Sequence, residues 1–133
     1  MGSGSIVVFG SLNMDIVSVA RRLPRPGETV PGSEFYTTPG GKGANQAVAC
    51  ARLGAYVQMV GHVGGDNLGR ELINSLESES IGISGIDVVN AGKTGVAMIS
   101  VDDSGENTIV AVYGANMLIS SDTESRLESA LAD

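Results

Sequence analysis

The spacing of apolar residues changes along the chain, and each change predicts an element. Residues 6–9 form an unbroken apolar run closed by Gly10, the pattern of a parallel strand covered on both faces. Ala44, Ala47, Val48 and Ala51 fall at i, i+3, i+4 and i+7, the stripe of a helix whose small side chains allow close packing on a sheet. Leu53-Gly54 supplies its stop. Residues 57–63 read as a second strand, interrupted by Gly61. After Gly64-Gly65, Asp66 is placed to cap a second helix. Leu68, Leu72, Ile73 and Leu76 mark its buried face, and Arg70, Glu71, Glu77 and Glu79 face water. Residues 86–89 predict a third strand. Strand alternates with helix, so the class is α/β with a parallel sheet flanked by helices.

Two stretches break that alternation. Residues 16–20 read as a strand, 21–27 as a loop punctuated by Pro24, Pro26 and Gly27, and Thr29-Val30 with 34–38 as further β-forming segments. Residues 94–101 and 108–113 flank Asp102-Asp103-Ser104-Gly105-Glu106-Asn107, a hairpin with a long turn. Val96 and Met98 fall on one face of it, and Ala97, Ile99 and Val101 on the other. A hairpin apolar on both faces needs cover on both. These stretches have too little apolar content for a core of their own and read as an appendage of strands. Ser121 with Glu124 then forms a capping box for a last helix bearing Leu127 and Leu131. No returning strand follows before Asp133, so the fold is expected to be cut short. Residues 1–5 read as a flexible leader.

Composition narrows the function classes. Among 133 residues, 42% are hydrophobic and 17% charged, a globular balance, and the net charge of −7 opposes a nucleic-acid backbone. No apolar run approaches the roughly 20 residues that span a bilayer, and no signal-like N-terminus is seen, which favours the cytosol. The single cysteine, Cys50, excludes an intrachain disulfide and reads as a core thiol. A single histidine, His62, gives a His-based metal site or a Ser/His triad little to build on.

The polar chemistry concentrates in two places. Pro39-Gly40-Gly41-Lys42-Gly43-Ala44-Asn45 runs into the first helix, so backbone N–H groups at the positive end of the helix dipole are expected to be open to an anion or to hydroxyls. Ser11-Leu12-Asn13-Met14-Asp15 follows the first strand's C-terminal end, where open α/β sheets bind ligands. In an extended segment Asn13 and Asp15 point the same way; an Asx turn closing the strand is the alternative. A P-loop is disfavoured because Gly43 follows the Gly-Lys pair, and no GxGxxG supports a dinucleotide site.

Gly40-Gly41-Lys42-Gly43-Ala44-Asn45-Gln46-Ala47, with Gly54 and Gly64 at the expected spacing, resembles the first signature of the PfkB (ribokinase-like) carbohydrate-kinase family. Gly10-Ser11-Leu12-Asn13-Met14-Asp15, Pro26-Gly27-Glu28-Thr29, Gly61-His62-Val63-Gly64-Gly65-Asp66 with Gly69, Thr94-Gly95-Val96-Ala97 and Gly114-Ala115-Asn116 complete the series in order. The resemblance runs from Ile6 to the chain's end and covers less than half of a typical member. It implies a Rossmann-like parallel sheet with a small β-sheet lid, the lid matching 16–38 and 94–113.

The implied activity is ATP-dependent phosphorylation of a sugar hydroxyl. Gln46 leans towards members that act on the 5-hydroxyl of D-ribose, ahead of phosphofructokinase-like or fructokinase-like ones. The same resemblance implies that Asn13 and Asp15 hold sugar hydroxyls and that Gly40, Gly41, Lys42 and Asn45 contact the sugar from the glycine turn. Lys42 is also suited to stabilising charge near the transferred phosphoryl. Ala97 and Met98 are expected to wall the ring. ATP, Mg²⁺ and a monovalent cation such as K⁺ are implied, with homodimerisation through the lid. The family's general base and most nucleotide and cation contacts belong to a C-terminal part not matched here. Asp15 is therefore read as a sugar ligand, and the chain alone as inactive. A non-catalytic sugar-binding or interaction module is the reading from another class.

Overall fold

The computed structural model describes residues 4–132. The chain runs β1 (Ser5–Phe9), β2 (Asn13–Ala20), β3 (Gly32–Gly40), α1 (Lys42–Arg52), β4 (Tyr56–Gly64), α2 (Asn67–Ser78), β5 (Gly82–Val89), β6 (Gly95–Val101), β7 (Asn107–Val112) and α3 (Ser121–Ala132), with a 3-10 turn at Gly114–Met117 before α3. Two sheets result. The first is parallel, in the order β1-β4-β5. The second, in the order β3-β2-β6-β7, pairs β2 with β6 in parallel and its other neighbours antiparallel.

The alternation along β4 explains the layers around the first sheet. Val57, Met59 and Val63 join Ala44, Ala47, Leu72 and Leu76 in the main core, so α1 and α2 cover that face. The opposite parity carries Gln58, Val60 and His62, all buried, and α3 lies against it. That interface is unusually polar. His62 Nε2 bonds Thr123 Oγ1 at 2.7 Å, and Arg126 donates to the carbonyl oxygens of Ser84 and Ile86. Burial lowers the His62 pKa, with Arg126 reinforcing and Asp87 opposing the effect.

The second sheet is rooted in the same core. Leu12 and Met14 are fully enclosed by it, and Ile16 and Val96 pack against it. Farther out, Val17 is still buried, but Phe35, Tyr36, Met98, Ile109 and Val110 are exposed. Asp66 secures the second root: its carboxylate caps α2 through Gly69 N–H and also accepts from the backbone and hydroxyl of Thr94, just before β6.

Several boundaries differ from the sequence reading. Ser5, assigned to the leader, is in register with Tyr56 on β4; residues 1–3 of that leader, like Asp133, lie outside the described residues. Thr29 and Val30 belong to the connection before β3, because two prolines and a glycine keep that segment irregular. Ser121 is the first residue of α3 instead of its cap. The hydroxyl of Thr123 accepts Ser120 N–H at 3.1 Å, moving the helix start one residue forward.

The β1–β2 crossing and the start of α1 meet backbone to backbone. A Cβ built on Gly43 would stand 2.7 Å from the Cα and carbonyl carbon of Gly10, closer than real side chains approach backbone. Gly43→Ala is therefore expected to lower stability by about 1–3 kcal/mol, the usual effect of overpacking. Urea unfolding measures it, and an unchanged midpoint would show that the contact yields without cost.

Candidate functional site

β1 ends at Phe9, and three residues carry the chain across to β2. Burial of Leu12 and Met14 fixes the register of that crossing, because a slip of one residue would expose both. Asn13 and Asp15 then fall on the opposite face from Met14. They are strand residues, so the Asx-turn alternative does not hold. Asn13 lies between Gly40 and Gly95, Asp15 between Thr38 and Ala97, and Val17 between Tyr36 and Ile99. One face of the second sheet thus carries an amide and a carboxylate at its root and apolar or aromatic residues farther out.

The glycines beside this pair are space reserved for it. A Cβ on Gly40 would sit 2.6 Å from both Asp15 carboxylate oxygens, and one on Gly95 would overlap Asn13 Oδ1. Burial raises the Asp15 pKa, and no basic side chain offsets the effect. Asn13 accepts a hydrogen bond from Asn116 Nδ2 at 2.8 Å.

At the glycine turn, Gly41 takes a positive φ of 97° and α1 starts at Lys42. The open amide cradle expected there is partly filled. Ser11 Oγ accepts Lys42 N–H at 3.1 Å, and Ser11 O accepts Ala44 N–H at 3.1 Å. The helix start is spent largely on the crossing, because Gly10 and Gly43 allow the two backbones to touch. The Lys42 side chain is exposed and belongs to none of the ion pairs among the described residues, which are Arg22–Glu28, Arg52–Glu79 and Arg126–Asp87. Asn45, one turn into α1, is exposed and borders a cleft shared with Thr38, Pro39, Arg52 and Glu79.

Ala97 and Met98 do not share a face. Ala97 stands in register with Asp15, whereas Met98 pairs with Ile16 and Val110 on the reverse face, 54% exposed. Period-two alternation forbids both from walling one ligand. Ile99, Thr38 and Tyr36 occupy the Asp15 face instead. Strand alternation from Ala97 points to Ile99; Asn116 is marked in the sequence only as part of the Gly114-Ala115-Asn116 block, which says nothing of its partners. Among the described residues no group of three or more His, Cys, Asp or Glu side chains is placed to hold a metal ion.

Residues 3–133 match the model of the pfkB family of carbohydrate kinases. The chain belongs to this family. The ribokinase of Bacillus subtilis (strain 168) is 47% identical over 112 residues, covering 84% of this chain and 38% of that protein. The ribokinase of Mus musculus is 40% identical over 130 residues, covering 98% of this chain and 40% of that protein. The structure of Arabidopsis thaliana ribokinase complexed with ribose and ATP superposes with a TM-score of 0.80 at 34% identity, over 95% of this chain and 42% of that one. The fold is therefore the ribokinase-like α/β sheet with an antiparallel-edged β appendage. This pfkB-family chain spans about two fifths of the length of the curated relatives it matches.

A half-buried carboxylate without a neighbouring cation carries a consequence for stability. An acid whose pKa is higher folded than unfolded takes up a proton on folding, so its charge costs stability above the folded pKa, and that cost fades as pH falls towards the ordinary carboxylate value. Asp15→Asn is expected to raise the melting temperature at pH 7, with the gap to the parent closing towards pH 4. Melting curves across that range check it. A variant less stable than the parent at pH 7 would contradict the burial argument.

Proposed function

We propose that this chain carries the sugar-binding side and the lid of a kinase that transfers the γ-phosphoryl group of ATP to the 5-hydroxyl of D-ribose. The observation that carries the reading is the Asn13–Asp15 pair on one face of β2, beside the start of α1 and bounded by two glycines. Ribokinases among the relatives, and one solved with ribose and ATP, support the same substrate.

In this reading Asp15 accepts hydrogen bonds from sugar hydroxyls, Asn13 donates one, and Gly40 and Gly41 let the ring approach the backbone. Lys42 and Asn45 reach the ligand from α1, Lys42 as a cation for the phosphoryl acceptor, and Ala97 supplies an apolar wall. Transfer forms a bond between phosphorus and the sugar O5 and breaks the bond between phosphorus and the ADP oxygen; a base must take the hydroxyl proton. Asp15 is committed to the sugar, so that base and the ATP, Mg²⁺ and K⁺ contacts are assigned to the part of the family fold beyond these residues. Among the described residues no group of three or more His, Cys, Asp or Glu side chains is placed to hold a metal ion, and no step is routed through either cation. The activity belongs in the cytosol, and the chain alone binds without turning over.

The reverse face of the lid supports a second element of the reading. Phe35, Met98, Val110 and Val112 are exposed together there, an apolar surface suited to a second copy. We assign it to a homodimer through the lid. Met98→Glu is expected to weaken self-association at least about tenfold, as a charge buried without a partner should. Sedimentation of parent and variant measures this, and a monomeric parent would remove the assignment.

The substrate is tested by joining the chain to the remaining portion of the Bacillus subtilis ribokinase and assaying a sugar panel with ATP and Mg²⁺. Ribose-dependent ADP formation is expected. Preference for fructose or fructose 6-phosphate would replace the ribose assignment with another branch of the family.

A further inference from the structure

Asn116 lies in the 3-10 turn after β7, yet its side chain reaches back to the β1–β2 crossing. Asn116 Oδ1 accepts Leu12 N–H at 2.9 Å, and the two hydrogens of Asn116 Nδ2 face three acceptors, Leu12 O at 3.0 Å, Asn13 Oδ1 at 2.8 Å and Tyr113 O at 2.9 Å, one hydrogen being shared between two of them. A primary amide can be placed either way round, and its neighbours decide which. Leu12 N–H only donates, so the atom facing it is the oxygen. The carbonyls of Leu12 and Tyr113 only accept, so the atom facing them is the nitrogen. Backbone groups have no alternative roles, and the orientation of Asn116 follows.

That orientation passes to Asn13. The atom of Asn13 that meets Asn116 Nδ2 must be an acceptor, hence Oδ1. The Asn13 NH₂ is then the end left for a ligand, on the same strand face as the Asp15 carboxylate. An ionised carboxylate only accepts. Together the two present one donor and one acceptor side by side, the complement of two neighbouring hydroxyls. The missing Cβ of Gly95 keeps the space in which Asn116 and Asn13 meet.

We propose that Asn116 is a positioning residue that locks Asn13 as a hydrogen-bond donor and thereby fits the Asn13–Asp15 pair to a vicinal diol. The diol assignment rests on the sugar reading above; the orientation of Asn13 does not.

Side-chain amide exchange in the labelled 133-residue chain tests the orientation before any ligand is added. The Asn116 NH₂ is expected to exchange slowly and the Asn13 NH₂ at the rate of an open amide. A slow Asn13 NH₂ in the parent overturns the proposal. Asn116→Asp removes the donor facing Leu12 O, Asn13 Oδ1 and Tyr113 O, so Asn13 should flip and its NH₂ become the protected one. Titration with ribose should then show affinity about tenfold weaker, the usual scale of one lost hydrogen bond. Asn13→Ala should weaken the parent to the same extent and add nothing to Asn116→Asp. Independent, multiplying losses would make Asn116 a merely structural residue. The parent's exchange pattern decides the orientation even if Asn116→Asp does not fold. Should that pattern hold while ribose perturbs neither Asn13 nor Asp15, the sugar reading falls and the locked donor stands.

Discussion

The approach of Gly43 to Gly10 is the contact on which the rest of the molecule depends. Helix α1 begins directly on the β1–β2 crossing because neither residue carries a Cβ. Three consequences follow from that closeness. Ser11 can supply acceptors to two amides of the first helical turn. The crossing is short, so β2 leaves the parallel sheet at once and starts a second one. Asn13 and Asp15 are thereby held beside the helix start. Glycine loses more backbone entropy on folding than other residues, and the enclosed side chains of Leu12 and Met14 on the same crossing offset that loss.

The second sheet gains its two roles from alternation. At its root, Met14 and Val96 belong to the main core, and the other parity carries Asn13 and Asp15. Farther out, the core ends but the alternation continues. The parity of Met14 and Val96 emerges as the exposed row of Phe35, Met98 and Val110, while the parity of Asp15 continues as Val17, Tyr36 and Ile99. A face with a polar root and an exposed apolar face are therefore back to back on the same strands. Each is available only because the sheet projects beyond the helices.

Much of this was legible in the sequence where the signal is local. The stripe of Ala44, Ala47, Val48 and Ala51, the leucines of α2, the cap at Asp66 and the hairpin around Gly105 all depend on neighbours within a few residues, and the structure places them as the periodicity indicates. The motif series identified the family. Contacts set by long-range packing were not legible. Ser11 filling the helix start joins segments far apart in sequence, and Asn116 reaches Leu12 across 104 positions. Neither leaves a periodic trace. Met98 is a different case: neighbouring residues of a strand face opposite ways, so its place on the reverse face is already implied by its adjacency to Ala97.

The charge on Asp15 would couple stability to binding in the proposed site. Burial disfavours its ionised form and no basic side chain compensates. The nearest helix start has given part of its donor capacity to Ser11, so the dipole of α1 offers Asp15 less than an open turn would. Lys42 stays in solvent, outside the ion pairs among the described residues. The Asp15 carboxylate therefore keeps lone pairs that no side-chain cation engages. Ligand hydroxyls would engage them, and whatever stabilises the occupied state is counted as affinity. A basic residue paired with Asp15 would steady the empty fold but compete with the ligand for the same lone pairs. The glycines at positions 40 and 95 act in the same sense: a side chain at either would collide with Asp15 or Asn13, so their bareness lets the pair stand on this face with its polar ends uncommitted to a cation.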